Sequence, residues 1–527
     1  MSFIKENCLN EIIFFVIGCA KRGTPDGGPK DEDPPVLLRA QPANNSSNFD
    51  SEKIRIYFDE YVKLEKINSQ LIVSPPIEKS GYSIFPQGGA SKFIDIELKD
   101  SLMKNSTYSF NFGQALVDNN EGNPLPFFKY VFSTGSYVDS LEISGNVNDS
   151  YNIDTDEFIT TMLYPIDSLY NDSIIYNGKP LYVSNTLDST NFKFTNLKMG
   201  TYNLIAIKDY NNNYRYDPLT EKIAFNETFI SIPNDSLFNL NVFKETPEFK
   251  IFKPFQENEN RINFGYQGEV ENLDIQIKSL NNLNNVVTFD KEKDTLYFWL
   301  ENSNYDSLNF EIKNKTYEKS FLFKFQKKEL GKDSLQLKQQ SQILELSDKL
   351  ILESTTPVTK IDNNKIQVFN RDSLPVLFKT KVDNYTNIII DFEVLPNDSY
   401  YINITPNAIV DLFQKTTDSL KFTFKTKKIS EYGKIFFNPI QKNYPLIIDL
   451  INMKGEVIDS QYLALASENC VFENIVPGEY NIRVVEDKNE NKKRDTGSFL
   501  KKIQPEKVYF NNEIIKVRAN WIIRESF

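Results

Sequence analysis

From residue 53 the chain reads KIRIYFDEYVKL, with apolar and polar side chains changing places at nearly every step. A period of two belongs to a β-strand with one buried face, because successive side chains of an extended backbone point to opposite sides of the sheet. The pattern returns in KFIDIELKD, STYSFNFGQALVD and KYVFSTG, and clusters of Asn, Asp, Gly and Pro such as NNEGNPLP at 119–126 separate the runs. Short strands with turns of this chemistry predict packed sheets in a β-sandwich, in preference to a helical or α/β domain. At 527 residues the chain is too long for one core, and the usual domain size divides it into about three to five units.

The most decisive feature of the composition is an absence. There is no histidine, so the chain has no Ser/His/Asp or Cys/His nucleophile, no imidazole zinc site and no histidine general base. A glycosidase working with two carboxylates stays possible, but the 72 acids are scattered through polar loops and single out no pair. The net charge of −12, with no clustered Lys/Arg, argues against a nucleic-acid partner.

The three cysteines form no paired framework: Cys8 and Cys19 stand near the N-terminus and Cys470 lies far away in an apolar run, where it reads as a small buried hydrophobe. Cys19 closes FFVIGC, after the apolar stretch from Ile12 to Ile17. This resembles a bacterial lipobox, which implies cleavage of a signal peptide and acylation of Cys19. The stretch that follows, AKRGTPDGGPKDEDPP, is small, charged and rich in Pro and Gly, and reads as a flexible tether. Within it Lys30, Asp31, Glu32 and Asp33 resemble the acidic export signal of Bacteroidota lipoproteins, which implies the outer face of the outer membrane. No later segment approaches the ~18 apolar residues of a membrane span.

PPVLLRAQPAN, the strand ending YFDE, VSPP, NSTYSFNFGQALVDNNEGN and the closing FSTG are together similar to the bacterial Ig-like domain of S-layer proteins. A second unit contains FKFTNLKMGTYNLIAIKDYNNNYRYDP, similar to the transthyretin-like or carboxypeptidase-regulatory-like sandwich of Bacteroidota surface proteins. Both units recur. Phe194, Asn196, Gly200, Tyr202, Asn203 and Asp209 align without a gap on Phe472, Asn474, Gly478, Tyr480, Asn481 and Asp487, and the segment ending at Asp118 aligns on a weaker copy ending at Asp411. The expected organisation is a signal peptide (1–18), a lipid anchor and acidic tether (19–33), an Ig-like domain (34–135) and a transthyretin-like sandwich (136–245). A middle β domain with a polar linker carrying a helical turn (246–340), a second, eroded Ig-like domain (341–428) and a second transthyretin-like sandwich (429–527) complete it.

The repeated unit carries a repeated loop, with Asp209, Asn211, Asn213 and Asp217 in the first copy and Asp487, Asn489, Asn491 and Asp495 in the second. Closely spaced oxygens suit calcium. The loops depart from the EF-hand pattern, with Tyr214 or Lys492 where Gly is expected and Thr220 or Ser498 where a bidentate Glu belongs, and lysines crowd the second copy. The alternative is an Asx-rich turn, in which these side chains bond backbone amides two residues on. The sequence favours the turn, and of the two copies the first is the better calcium candidate. Trp299 and Trp521 sit in apolar alternating runs and read as core, whereas Tyr210, Tyr214 and Tyr216 form a candidate exposed patch.

The resemblances imply an anchored, non-catalytic surface lipoprotein that serves as a structural or interaction subunit of an outer-membrane complex, for instance one that assembles membrane proteins or exports lipoproteins. A glycan-binding or adhesive lipoprotein is the alternative, and a carboxylate glycosidase a more distant one.

Overall fold

A computed structural model describes residues 31–527 except 235, 271–272, 279–283, 316, 327–329, 441 and 512. The expected signal peptide, Cys19 and Lys30 lie outside the described residues. The chain divides into two compact units, one ending at Asp139 and one spanning Ser140–Phe527. No helix among the described residues is long and apolar enough to cross a membrane.

In the first unit the strand Lys53–Leu64 runs antiparallel to Leu37–Gln41 on one side and Ser91–Leu98 on the other, and Tyr82–Phe85 pairs with the far edge of Ser91–Leu98. After a register shift between Tyr57 and Val62, the end of Lys53–Leu64 pairs with Leu116–Asp118. A second sheet places Thr107–Asn111 between Ile72–Ser74 and Lys129–Ser133. Ile54, Ile56, Phe58, Ile94 and Ile96 point inward from the first sheet and meet Phe110, Phe112, Tyr130 and Phe132 in one core. Each such side chain contributes about 1.5–3 kcal/mol by leaving water. A one-residue slip would turn the whole set outward, so the alternation fixes the register.

Among the described residues the second unit contains four sandwich bodies. In the first of them Leu141–Asp149 is flanked by Asn191–Leu197, antiparallel, and by Leu237–Val242, parallel. The last body repeats this: Gly433–Asn438 lies between antiparallel Cys470–Ile475 and parallel Ile522–Ser526. Their larger sheets also agree, with Thr160–Pro165 beside Gly200–Ile207 in one and Leu446–Asn452 beside Gly478–Glu486 in the other. The aligned stretches therefore occupy equivalent strands. Cys470 is buried in the last core, and that burial pushes its thiol up to about 12.

The third body has the strand order of the first unit. Leu337–Gln339, Leu350–Ser354, Asn387–Asp391 and Lys379–Asp383 form one sheet, and Ile366–Phe369, Ser399–Ile404 and Leu420–Lys425 form the other. The counterpart of the long strand Lys53–Leu64 is split into Leu350–Ser354 and Val358–Ile361, and the split holds Pro357, which has no amide to give a ladder. Leu337–Gln339 departs from expectation. It is an edge strand hydrogen-bonded to Leu350–Ser354 rather than part of a helical linker, so this body begins before residue 341. An edge strand of three residues with polar neighbours leaves only a faint period-two signal.

Contacts within this unit close a circuit. Trp299 of the middle body packs with Val286 against Leu412 and Phe413 of the third, and Asn384 exchanges two hydrogen bonds with the Phe289 backbone at 2.9 and 3.0 Å. Tyr432, at the start of the last body, donates to Glu345 of the third at 2.6 Å. Gly268 of the middle body, at φ 79°, lies where a Cβ would be 2.5 Å from the Pro247 carbonyl, so only glycine lets the chain pass there. The last body returns to the first through the seam described next.

Candidate functional site

The two Asp/Asn loops follow the equivalent strands Gly200–Ile207 and Gly478–Glu486. Asp209 accepts the Asn213 amide at 3.1 Å and the Tyr214 amide at 2.8 Å. Asp487 accepts the Asn491 amide at 3.2 Å and the Lys492 amide at 2.8 Å. Asn213 and Asn491 each take the amide two residues on, at 2.8 Å in both loops, which is Asx-turn geometry. Asp217 accepts the Leu219 amide and the Thr220 hydroxyl, whereas Asp495 accepts the side-chain amides of Asn489 and Asn491.

Two features alter the comparison with an EF-hand. Tyr214 and Lys492 hold the left-handed backbone for which Gly is expected, at φ 58° and 63°. A buried carboxylate that sequence reasoning missed closes each loop. Glu221 accepts the amides of Tyr210 and Asp217 at 3.1 and 2.9 Å, and Glu506 accepts those of Lys488 and Asp495 at 2.7 and 2.9 Å. Burial raises the Glu221 carboxyl above its ordinary value, and the nearby Asp209 and Asp217 push the same way against the two amides. Among the described residues no three His, Cys, Asp or Glu side chains come together as a metal-holding group. The donor oxygens of both loops are spent largely on the chain's own amides.

The second loop extends into an excursion that docks on the first body. Thr496 donates to the Lys244 carbonyl at 2.5 Å, the Phe499 amide to Glu245 at 2.7 Å and Gln504 to the Phe225 carbonyl at 2.9 Å. Lys502 pairs with Asp172 at 2.7 Å, and the Phe499 and Phe225 rings meet edge to face at 5.4 Å. Beneath them Arg483, 1% exposed, donates to Asp449 at 2.8 and 3.1 Å. Its guanidinium lies 3.8 Å from the centroid of the Tyr151 ring, contributed by the first body, and Arg494 lies over the same ring at 4.6 Å while donating to Ser150. One cation flanking the second loop, Arg494, is thus among the residues that join the two bodies. A cavity of about 1820 Å³ opens beside this seam. The Lys244 ammonium in its wall is buried without a hydrogen-bond partner among the described residues, and burial lowers its pKa.

The aromatic candidates separate. Trp299 is buried as expected, with its indole N–H on Thr288 at 2.8 Å. Trp521 is not core: it is 50% exposed, because it heads the edge strand Ile522–Ser526, which is covered on one side only, and Arg518 stacks on it at 4.8 Å. Of the tyrosine patch only Tyr210 is exposed; Tyr214 is half-buried and Tyr216 is buried. In the first unit Asp118 and in the third body Asp411, both buried, cap equivalent turns. Asp118 accepts four amides at 2.6–3.2 Å, and Asp411 accepts two amides and the Thr356 hydroxyl. The carbonyls of Asp31 and Asp33 are held by Asn123 at 2.9 and 3.2 Å, so these expected signal residues lie against the Asp118 turn, their side chains exposed like that of Glu32.

Residues 31–134 match the bacterial Ig-like domain family. A comparison with curated proteins returned no match. Among solved structures the chain is similar to the S-layer protein rSbsC at 11% identity over 91% of this chain and 66% of that one, with a TM-score of 0.14. It is also similar to the BSP domain of a biofilm associated protein at 8% identity over 74% and 95%, with a TM-score of 0.15. A third is Salmonella alpha-2-macroglobulin, at 9% identity over 88% and 44%, with a TM-score of 0.14. The chain spans just under two thirds of the S-layer structure, and scores of this size carry no functional argument. The sheets themselves define the class: an all-β chain of tandem sandwich bodies. Its first unit carries the match to the bacterial Ig-like domain family.

Proposed function

We propose that this chain is a non-catalytic surface lipoprotein, acylated at Cys19, directed outward by Lys30, Asp31, Glu32 and Asp33, and serving as a structural or interaction subunit of an outer-membrane complex. Its partner would be a membrane-embedded assembly that inserts proteins or exports lipoproteins. The first and last bodies of the second unit are, in this reading, the transthyretin-like modules.

The observation that carries the reading is the closed circuit of contacts in the second unit. Bodies separated by hundreds of residues are joined through guanidiniums stacked on Tyr151, the Lys502–Asp172 ion pair and side chain-to-backbone bonds, and a joined set of bodies can hold a partner at fixed geometry. Flexibly strung domains could not, because each would lose freedom on binding. The acids at this seam bind cations and amides of the chain itself.

Cross-linking of intact cells followed by mass spectrometry tests the role. Cross-links from the second unit to an outer-membrane barrel protein are expected, and cross-links only to extracellular material would refute it. The anchor is tested separately, because Cys19→Ser should release the chain from membranes, and continued retention would sink the assignment.

A further inference from the structure

We propose that the outer face of the five-stranded sheet in the first unit binds a neutral glycan. The register sets the side chains of this face in rows. Arg39, Tyr57 and Phe93 are cross-strand neighbours in one row, and Gln41, Arg55, Asp95 and Phe85 in the next. The Phe85 and Phe93 ring centroids are 5.9 Å apart, with Tyr57 a further 6.2 Å from Phe93, and Phe85 is 49% exposed. Phe85 and Phe93 wall a concavity of about 510 Å³ that Arg55, Ser83, Gln87 and Asp95 complete. A volume in the range of ~300–1,000 Å³, with aromatic walls and a few convergent polar groups, is the form of a small-ligand site.

The polar groups are held in place. Arg55 grips both Asp95 oxygens at 2.6 and 2.7 Å and lies 4.2 Å from the Phe93 centroid, and Lys53 bridges Asp95 and Glu97 at 3.0 and 3.3 Å. Gln87 donates its amide to the Ile84 carbonyl at 3.1 Å, which presents its oxygen as an acceptor. Side chains fixed before binding lose little entropy when a ligand arrives.

Charge and size select the ligand. Arg55, Asp95 and Glu97 line the concavity and Lys53 bridges the two acids, so nothing there offers surplus positive charge to a polyanion, while Arg39 in the neighbouring row lies 4.3 Å from the Tyr57 centroid. Three strand spacings of ~4.8 Å by two row spacings of ~6.8 Å give a face of roughly 200 Å², a quarter of the ~800 Å² that a stable protein interface takes from each partner. Three mutually tilted rings spaced 5.9 and 6.2 Å across the two rows, edged by hydroxyl-bonding groups, fit a short chain of neutral sugars.

The test is calorimetric titration of the purified full-length chain in detergent with gluco-, manno- and xylo-hexaoses and with polygalacturonate. At least one neutral hexaose should bind, and Phe85→Ala and Phe93→Ala should each weaken it about tenfold. Tyr137→Ala, an exposed aromatic elsewhere in this unit, should leave binding unchanged. Circular dichroism and melting confirm the fold of each variant. The proposal is overturned if no hexaose binds at millimolar concentration, if only polygalacturonate binds, or if Tyr137→Ala weakens binding as much. It is equally overturned if Phe85→Ala removes a co-purifying protein while no saccharide binds. Because the assay needs neither membrane nor partner complex, its outcome is independent of the subunit role.

Discussion

Replacing Arg483 with Met probes the seam at its most buried point. The Arg483 and Asp449 side chains are 2% and 9% exposed, so removing the guanidinium leaves a carboxylate in the interior with Ser460 as its remaining side-chain donor, at 2.7 Å. Breaking a buried pair from one side costs about 3–5 kcal/mol, and the Ser460 bond places the expectation near the lower figure. At about 1.4 kcal/mol per decade, a loss of ~3 kcal/mol speeds exchange through that opening more than a hundredfold. Hydrogen-exchange mass spectrometry of the strand Gly478–Glu486 and of residues 494–504 reads it directly. The double variant Arg483→Met/Asp449→Leu, which removes both charges, should recover most of the protection. Exchange within tenfold of wild type in the single variant, or a double variant as labile as the single, would show that the buried pair does not hold this strand and seam together.

Other perturbations separate the remaining elements. At Asp118 burial favours the neutral acid, but four backbone amides outweigh it and hold the carboxyl below its usual range; a lowered folded pKa gives stability that is present above the unfolded pKa of ~3.9 and lost as pH falls through the folded one. Asp118→Asn should therefore cost about 1.5–3 kcal/mol at pH 7, and the gap to wild type in urea unfolding should narrow toward pH 2; a constant gap would contradict this. Trp299→Ala should cost about 3–5 kcal/mol and raise exchange around Leu412 and Phe413 as well as in the middle body, and an effect confined to the middle body would show that the contact does not couple them. Calcium at 1 mM should leave the melting midpoint unchanged, because the loop carboxylates are occupied by amides; a rise abolished by Asp209→Ala would make the first loop a metal site.

Period-two alternation made the all-β class legible because one buried face per strand writes itself directly into the sequence. The gapless match between residues 194–209 and 472–487 was equally legible, since both copies keep the same inward positions on equivalent strands. The closing carboxylates were not. Glu221 stands 12 residues after Asp209 and Glu506 stands 19 after Asp487, so no ungapped comparison pairs them. Trp521 misled because alternation shows that a side is apolar without showing whether anything covers it. The seam was illegible for a plainer reason: Arg483 and Tyr151 are more than 300 residues apart, and nothing local in RVVEDKNENKKRD says that its cations meet a distant ring.

In the proposed role the chain works as one subunit of a larger outer-membrane assembly. Affinity purification of the tagged full-length chain from detergent-solubilised outer membrane, with the mass of the eluted species measured, tests it most directly. A stoichiometric complex containing a β-barrel protein is expected. Elution of the chain alone, under detergent conditions that keep other membrane complexes intact, would contradict the claim.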